Sequence, residues 1–115
     1  MRLRQVLLVL GLGLLPVLQP SAGSAGAVTS APDPEHGKSL AESLCSNCHL
    51  VGSGTQGSAN ADVPSFHEIA NKAGQTAGTI TAHISLPKHP MPQIPLTKSE
   101  LADLSAYILS LRDRP

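Results

Sequence analysis

Large rings are nearly missing from this chain. Its 115 residues include one Phe (Phe66), one Tyr (Tyr107) and no Trp. A short domain without aromatics has little with which to build a core alone, so a staple or a bound apolar group has to supply the rest. Cysteine is scarce as well: Cys45 and Cys48 are the whole supply. That excludes a framework of several disulfides. It also leaves no thiol after the N-terminal apolar run for a lipid anchor. Charge of either sign is sparse, with eight Lys and Arg against eight Asp and Glu. No basic patch forms, which excludes nucleic acid as a partner. No segment alternates as a strand would, and no internal repeat occurs.

The N-terminus reads as an export signal. Arg2 and Arg4 form a basic start, and Val6 to Leu18 is an apolar run broken by Gly11, Gly13 and Pro16. Small residues from Ser21 to Ala27 end in an A-x-A site. This is the pattern of a secretory signal peptide with cleavage after Ala27. The run is short for a bilayer span, the alternative being an uncleaved anchor. Residues 1–27 are thus expected to be signal, 28–33 a flexible linker and 34–115 one domain, with no membrane span in the mature chain. Arg2 and Arg4 leave with the signal, so six basic residues then face eight acidic ones.

Both cysteines fall in one motif, Cys45-Ser46-Asn47-Cys48-His49. C-x-x-C-H is the signature of covalent c-type haem attachment. Two thiols one helical turn apart reach the two vinyl groups on one side of a porphyrin. The next residue then offers its imidazole to the iron. One motif implies one haem c, covalent through Cys45 and Cys48, with His49 as axial ligand. A porphyrin is also the apolar body that the missing aromatics call for. Other readings of the cysteines are a thioredoxin-type pair, a zinc site with His83 and His89, and a Cys45–Cys48 disulfide. The first needs a strand-helix unit, the second does not have usual finger spacing, and the third applies without haem.

The periodicity predicts four helices. Asp33-Pro34-Glu35 reads as N-cap, N1 proline and acidic first turn, opening a helix to Leu44 with Gly37, Leu40, Ala41 and Leu44 inward. Leu50 to Val63 is a glycine-rich loop. Ser65 to Glu68 reads as a capping box for a short helix ending near Gly74. Thr76 to Leu86 forms a third helix, with Ile80 and Ile84 one turn apart, stopped by Pro87. Pro87, Pro90, Pro92 and Pro95 stiffen the following loop. Thr97 and Glu100 form a second capping box, opening a helix to Leu111 with a Leu101, Leu104, Ile108 and Leu111 stripe. The expected fold is all-α, about four short helices around one haem.

Met91 is the only methionine besides the initiator, and Pro90 and Pro92 flank it. A thioether binds ferrous iron well, and bracketing prolines limit the freedom of the unligated loop. Met91 is therefore the expected second axial ligand, rather than a gap-filling core residue. His89 and His83 are the competing ligands, and Lys88 is a candidate to displace Met91 at alkaline pH. His36 and His67 read as surface histidines.

From Gly37 to Leu111 the chain resembles a small class I monohaem cytochrome c of the bacterial periplasm. The resemblance rests on Gly37-Lys38-Ser39-Leu40-Ala41, the haem motif, Pro64-Ser65-Phe66, Met91-Pro92 and Leu101 to Ile108. It implies a crossing of the first and last helices, with Gly37 against Tyr107. It also implies that the Pro64 carbonyl takes the hydrogen bond from the proximal histidine. The function it implies is one-electron transfer in the periplasm by a monomer or transient complex. The expected partners are a dehydrogenase, an oxidase or a respiratory complex, and the chain itself is no enzyme. A haem relay subunit of a dehydrogenase complex and a ligand-binding or catalytic haem protein are the alternatives.

Overall fold

The computed structural model describes residues 30–53 and 62–115. The expected signal peptide, the first two linker residues and loop residues 54–61 lie outside the described residues. The chain forms four helices: α1 (Pro34–Leu44), α2 (Phe66–Asn71), α3 (Ala77–Ser85) and α4 (Lys98–Ser110). Among the described residues there is no strand, and no helix is long and apolar enough to cross a membrane.

Each helix begins on a side-chain cap that meets backbone donors no helical carbonyl can reach. The Asp33 carboxylate accepts from the N–H groups of Glu35 and His36, and Pro34 follows it. Ser65 with Glu68 and Thr97 with Glu100 make reciprocal capping boxes. Those bonds hold both glutamates below the ordinary carboxyl range. Thr76 forms a third box with Thr79, a hydroxyl standing where a carboxylate is usual. α2 stops at Asn71, earlier than Gly74. Lys72 is already extended (φ −60°, ψ 134°), and Gly74 serves the later turn at φ 73°.

α4 is the hub: α1, α2 and α3 all pack on it, and no other helix pair makes comparable contact. The core is Ala41, Phe66, Ala70, Ile80, Ile84, Leu104, Tyr107 and Ile108. Ser105 is fully buried on α4, and its hydroxyl lies 3.0 Å from that of Thr81 on α3. Leu44, expected to face inward, is 39% exposed, one turn beyond the buried Ala41.

Gly37 marks where α1 crosses α4. A Cβ at this position would lie 2.5 Å from the Asp103 carbonyl carbon and 2.9 Å from the Leu104 nitrogen, and closer still to the Asp103 oxygen. Only a residue without a side chain allows such an approach. The atoms nearest Gly37 thus belong to Asp103 and Leu104, one turn before Tyr107. Tyr107 instead donates its hydroxyl to the Val51 carbonyl at 2.6 Å, tying the chain after the haem motif to α4.

Asp103 fastens the start of α1 to the same place. Its Oδ1 accepts the Asp33 N–H at 2.8 Å, and its Oδ2 pairs with His36 Nδ1 at 2.8 Å. The bond to Asp103 holds the His36 imidazole above its ordinary 6.5, and the reciprocal bond holds the Asp103 carboxyl below 3.8.

Gly37→Ala should lower stability by about 3 kcal/mol, because backbone rather than a movable side chain blocks the new methyl. Gly78→Ala should be neutral or mildly stabilising, since its nearest neighbour is the Thr76 hydroxyl at 3.8 Å. Urea midpoints of the two variants separate these outcomes. The His36–Asp103 pair should add stability fully below pH 6.5, fading as pH rises through the raised imidazole value. From the carboxylate side the contribution is full above pH 3.8 and fades as pH falls through the lowered value. Asp103→Asn should therefore be most destabilising between those limits, by a small amount because the imidazole is half exposed and solvent screens it. A pH-independent loss would contradict the ion-pair account.

Candidate functional site

The haem motif begins where α1 ends. Cys45 is the C-cap of α1, its N–H still donating to the Ala41 carbonyl. The chain then tightens into a turn: Cys48 N–H donates to the Cys45 carbonyl at 3.2 Å and His49 N–H at 2.9 Å. One turn thus carries both thiols and the imidazole. Cys45 is half-buried and packs against the core, whereas Cys48 is exposed. Burial pushes the Cys45 thiol above its ordinary value, which keeps it neutral rather than a free thiolate.

His49 is held from the other side of the loop. Its Nδ1 lies 2.7 Å from the Pro64 carbonyl oxygen. A carbonyl only accepts, so Nδ1 is the donor, and in the neutral imidazole Nε2 is then the acceptor nitrogen. The ring also lies against Phe66, with centroids 5.4 Å apart and planes tilted by 51°. Phe66 N–H donates to the Leu50 carbonyl at 2.9 Å. The end of the motif and the start of α2 are therefore joined by two hydrogen bonds and a ring contact.

Met91 comes from the proline-rich loop between α3 and α4. It is half-buried and packs against the same core cluster as Cys45. Its N–H closes a turn onto the Lys88 carbonyl at 3.0 Å, and the preceding His89-Pro90 bond is cis. Leu86, Pro87, His89, Pro90, Met91 and Pro92 line one side of a shallow surface hollow.

The remaining histidines sit elsewhere. His83, expected as a competing ligand, is exposed, and its Nδ1 donates to the Thr79 carbonyl of its own helix at 2.7 Å. His89 is exposed on the Met91 loop. His36 pairs with Asp103, and His67 Nε2 meets Asp113 at 2.9 Å. Among the described residues, no three of His, Cys, Asp or Glu are grouped to hold a metal ion. That leaves no support for the zinc reading.

These residues fit a covalently held haem. Two unpaired thiols stand one turn apart, an imidazole is fixed with Nε2 free, and a thioether packs on the core that Cys45 touches. The ring contact of Phe66, the Tyr107 bond to Val51 and the Arg112 guanidinium bonds to the Ala70 and Gln75 carbonyls were not assigned from the sequence. Phe66 had a sequence signal, its place two residues after Pro64. Arg112 had none, because it lies past the C-cap of α4 and belongs to no pattern.

The comparisons agree with this geometry. Residues 34–112 match the family model for cytochrome c. Cytochrome c-552 of Bradyrhizobium diazoefficiens is 38% identical over 100 residues, covering 87% of this chain and 93% of that protein. No solved structure matches the chain significantly. With the motif turn, the four helices and the family match in agreement, the chain belongs to the cytochrome c family and carries haem c attached through Cys45 and Cys48.

Proposed function

We propose that this electron carrier uses His49 and Met91 as the two axial ligands and works as a soluble one-electron shuttle in the bacterial periplasm. The observation that carries the reading is the 2.7 Å bond from His49 Nδ1 to the Pro64 carbonyl. It fixes the tautomer with Nε2 free for iron and makes that nitrogen more basic. Bound haem c supplies the one-electron couple.

The chain's own residues do the rest. His49 is oriented by Pro64 on one edge and Phe66 on its face, so it needs no rearrangement to hold its position. Met91 offers a neutral thioether, which favours reduced iron relative to a second imidazole. Its flanking prolines and its packing on the core restrict the loop before any bond forms. Half-buried Met91 is better placed for this than exposed His89 or His83. With His49 and Met91 both holding the haem, no position would be open to a substrate, which suits electron transfer rather than catalysis.

The export reading rests on Arg2, Arg4, the apolar run and the small residues before Val28. Covalent attachment serves a compartment where a loose haem would be lost. Partners are redox proteins of that compartment, met in transient complexes.

Met91→Ala tests the ligand. The mature ferric protein should show the weak near-infrared charge-transfer band of methionine-ligated haem, and the variant should lose it and fall in reduction potential. A wild-type spectrum lacking that band, or a variant keeping it, would place another residue on the iron.

A further inference from the structure

His49 rests on two groups from one short segment, the Pro64 carbonyl and the Phe66 ring. Pro64 directly precedes the α2 N-cap, and Phe66 is the first residue of α2. Any rotation of α2 therefore moves both supports together. α2 has six residues, too few to persist on its own hydrogen bonds. Phe66 and Ala70 seat it in the core, but apolar packing has little directionality.

The start of α2 is tied by the Phe66 N–H to the Leu50 carbonyl, and at its far end directional bonds come from the chain just past α4. Arg112 Nε donates to the Ala70 carbonyl at 2.9 Å, and its Nη2 donates to the Gln75 carbonyl at 2.7 Å. The first of these meets a helix-end carbonyl that no helical N–H reaches, and the cation suits the negative end of the helix. Asp113 N–H donates to Asn71 Oδ1 at 2.9 Å, and its carboxylate meets His67 Nε2 at 2.9 Å. Asp113 is 71% exposed, so its contact with His67 is the weaker element. The two-pronged guanidinium is the stronger.

We infer that Arg112 and Asp113 are positioning residues for the proximal histidine, holding α2 so that Pro64 and Phe66 stay against His49. This rests on the reading of His49 as an iron ligand. The bond to Pro64 raises the basicity of His49 and so stabilises ferric iron. Loosening α2 weakens that bond and shifts the equilibrium toward the ferrous form.

The test uses the full haem-loaded protein and four variants: Arg112→Gln, Arg112→Lys, Asp113→Ala, and Asp103→Asn as a control on the opposite stretch of α4. One readout is solvent exchange of the His49 Nδ1 proton in the reduced protein, followed by NMR. The other is the ferrous-to-ferric ratio against a mediator of fixed potential. Arg112→Gln should speed the exchange roughly tenfold, as a local opening becomes easier. It should raise the ferrous-to-ferric ratio about threefold, a modest fraction of what loss of a ligand's own hydrogen-bond partner does. Asp113→Ala should move both the same way by less, and Arg112→Lys should fall between Gln and wild type. Asp103→Asn, which loosens only the start of α1, should move neither readout as far as Arg112→Gln does.

Unmoved readouts in Arg112→Gln and Asp113→Ala would overturn the inference and make the segment a structural staple only. An equal shift in Asp103→Asn would overturn it too, by showing general loosening. If Arg112→Gln does not accumulate with haem, Asp113→Ala decides on the same two readouts. Failure of the ligand reading looks different: the ferric wild type would then lack paramagnetic shifts on the His49 ring, before any variant is compared.

Discussion

The close approach of α1 and α4 at Gly37 is the constraint on which the rest depends. Backbone meets backbone there, and the Asp103 carboxylate fastens the incoming end of α1 to the same turn. A chain this poor in aromatics cannot hold two helices together with large interdigitating rings. It uses the absence of a side chain instead, which shortens the distance and lets the modest residues Ala41 and Leu104 close the contact. α4 then presents its other faces to α2 and α3.

Each part of the site hangs on that frame. Cys45 is the cap of α1, so the crossing fixes where the haem motif begins. Tyr107 on α4 takes the Val51 carbonyl and fixes where the chain leaves the motif. α2, packed on α4, returns the Pro64 carbonyl and the Phe66 ring to His49. The Met91 loop joins α3 to α4 and rests on the same core. The imidazole and the thioether are thus held by separate elements that share one hub. A site built so needs little rearrangement when an electron arrives or leaves, which is what a carrier requires.

Much of this was legible in the sequence, for physical reasons that differ by element. Helix starts were readable because Asp33, Ser65 and Thr97 cap through local side-chain bonds three residues long at most. The haem motif was readable because its spacing is set by covalent chemistry. The Gly37 crossing could be named only through resemblance, and its partner proved to be the Asp103–Leu104 backbone, since contact between distant segments leaves no local pattern. The inward placing of Leu44 failed because periodicity gives a face but not how far along a helix the neighbour extends. His83 sits beside the Ile80 and Ile84 stripe, yet its ring turns back to its own helix, a rotamer choice the sequence does not encode. The Arg112 bonds join residues about forty positions apart and could not be read at all.

If His49 and Met91 both hold the haem, the protein moves electrons and binds no small ligand. The most direct measurement is addition of carbon monoxide to the reduced wild-type protein at neutral pH, followed by absorption. The spectrum should stay unchanged, with His49 and Met91 both retained. Prompt formation of a carbon monoxide complex would contradict it and would make an open or exchangeable position the basis of function.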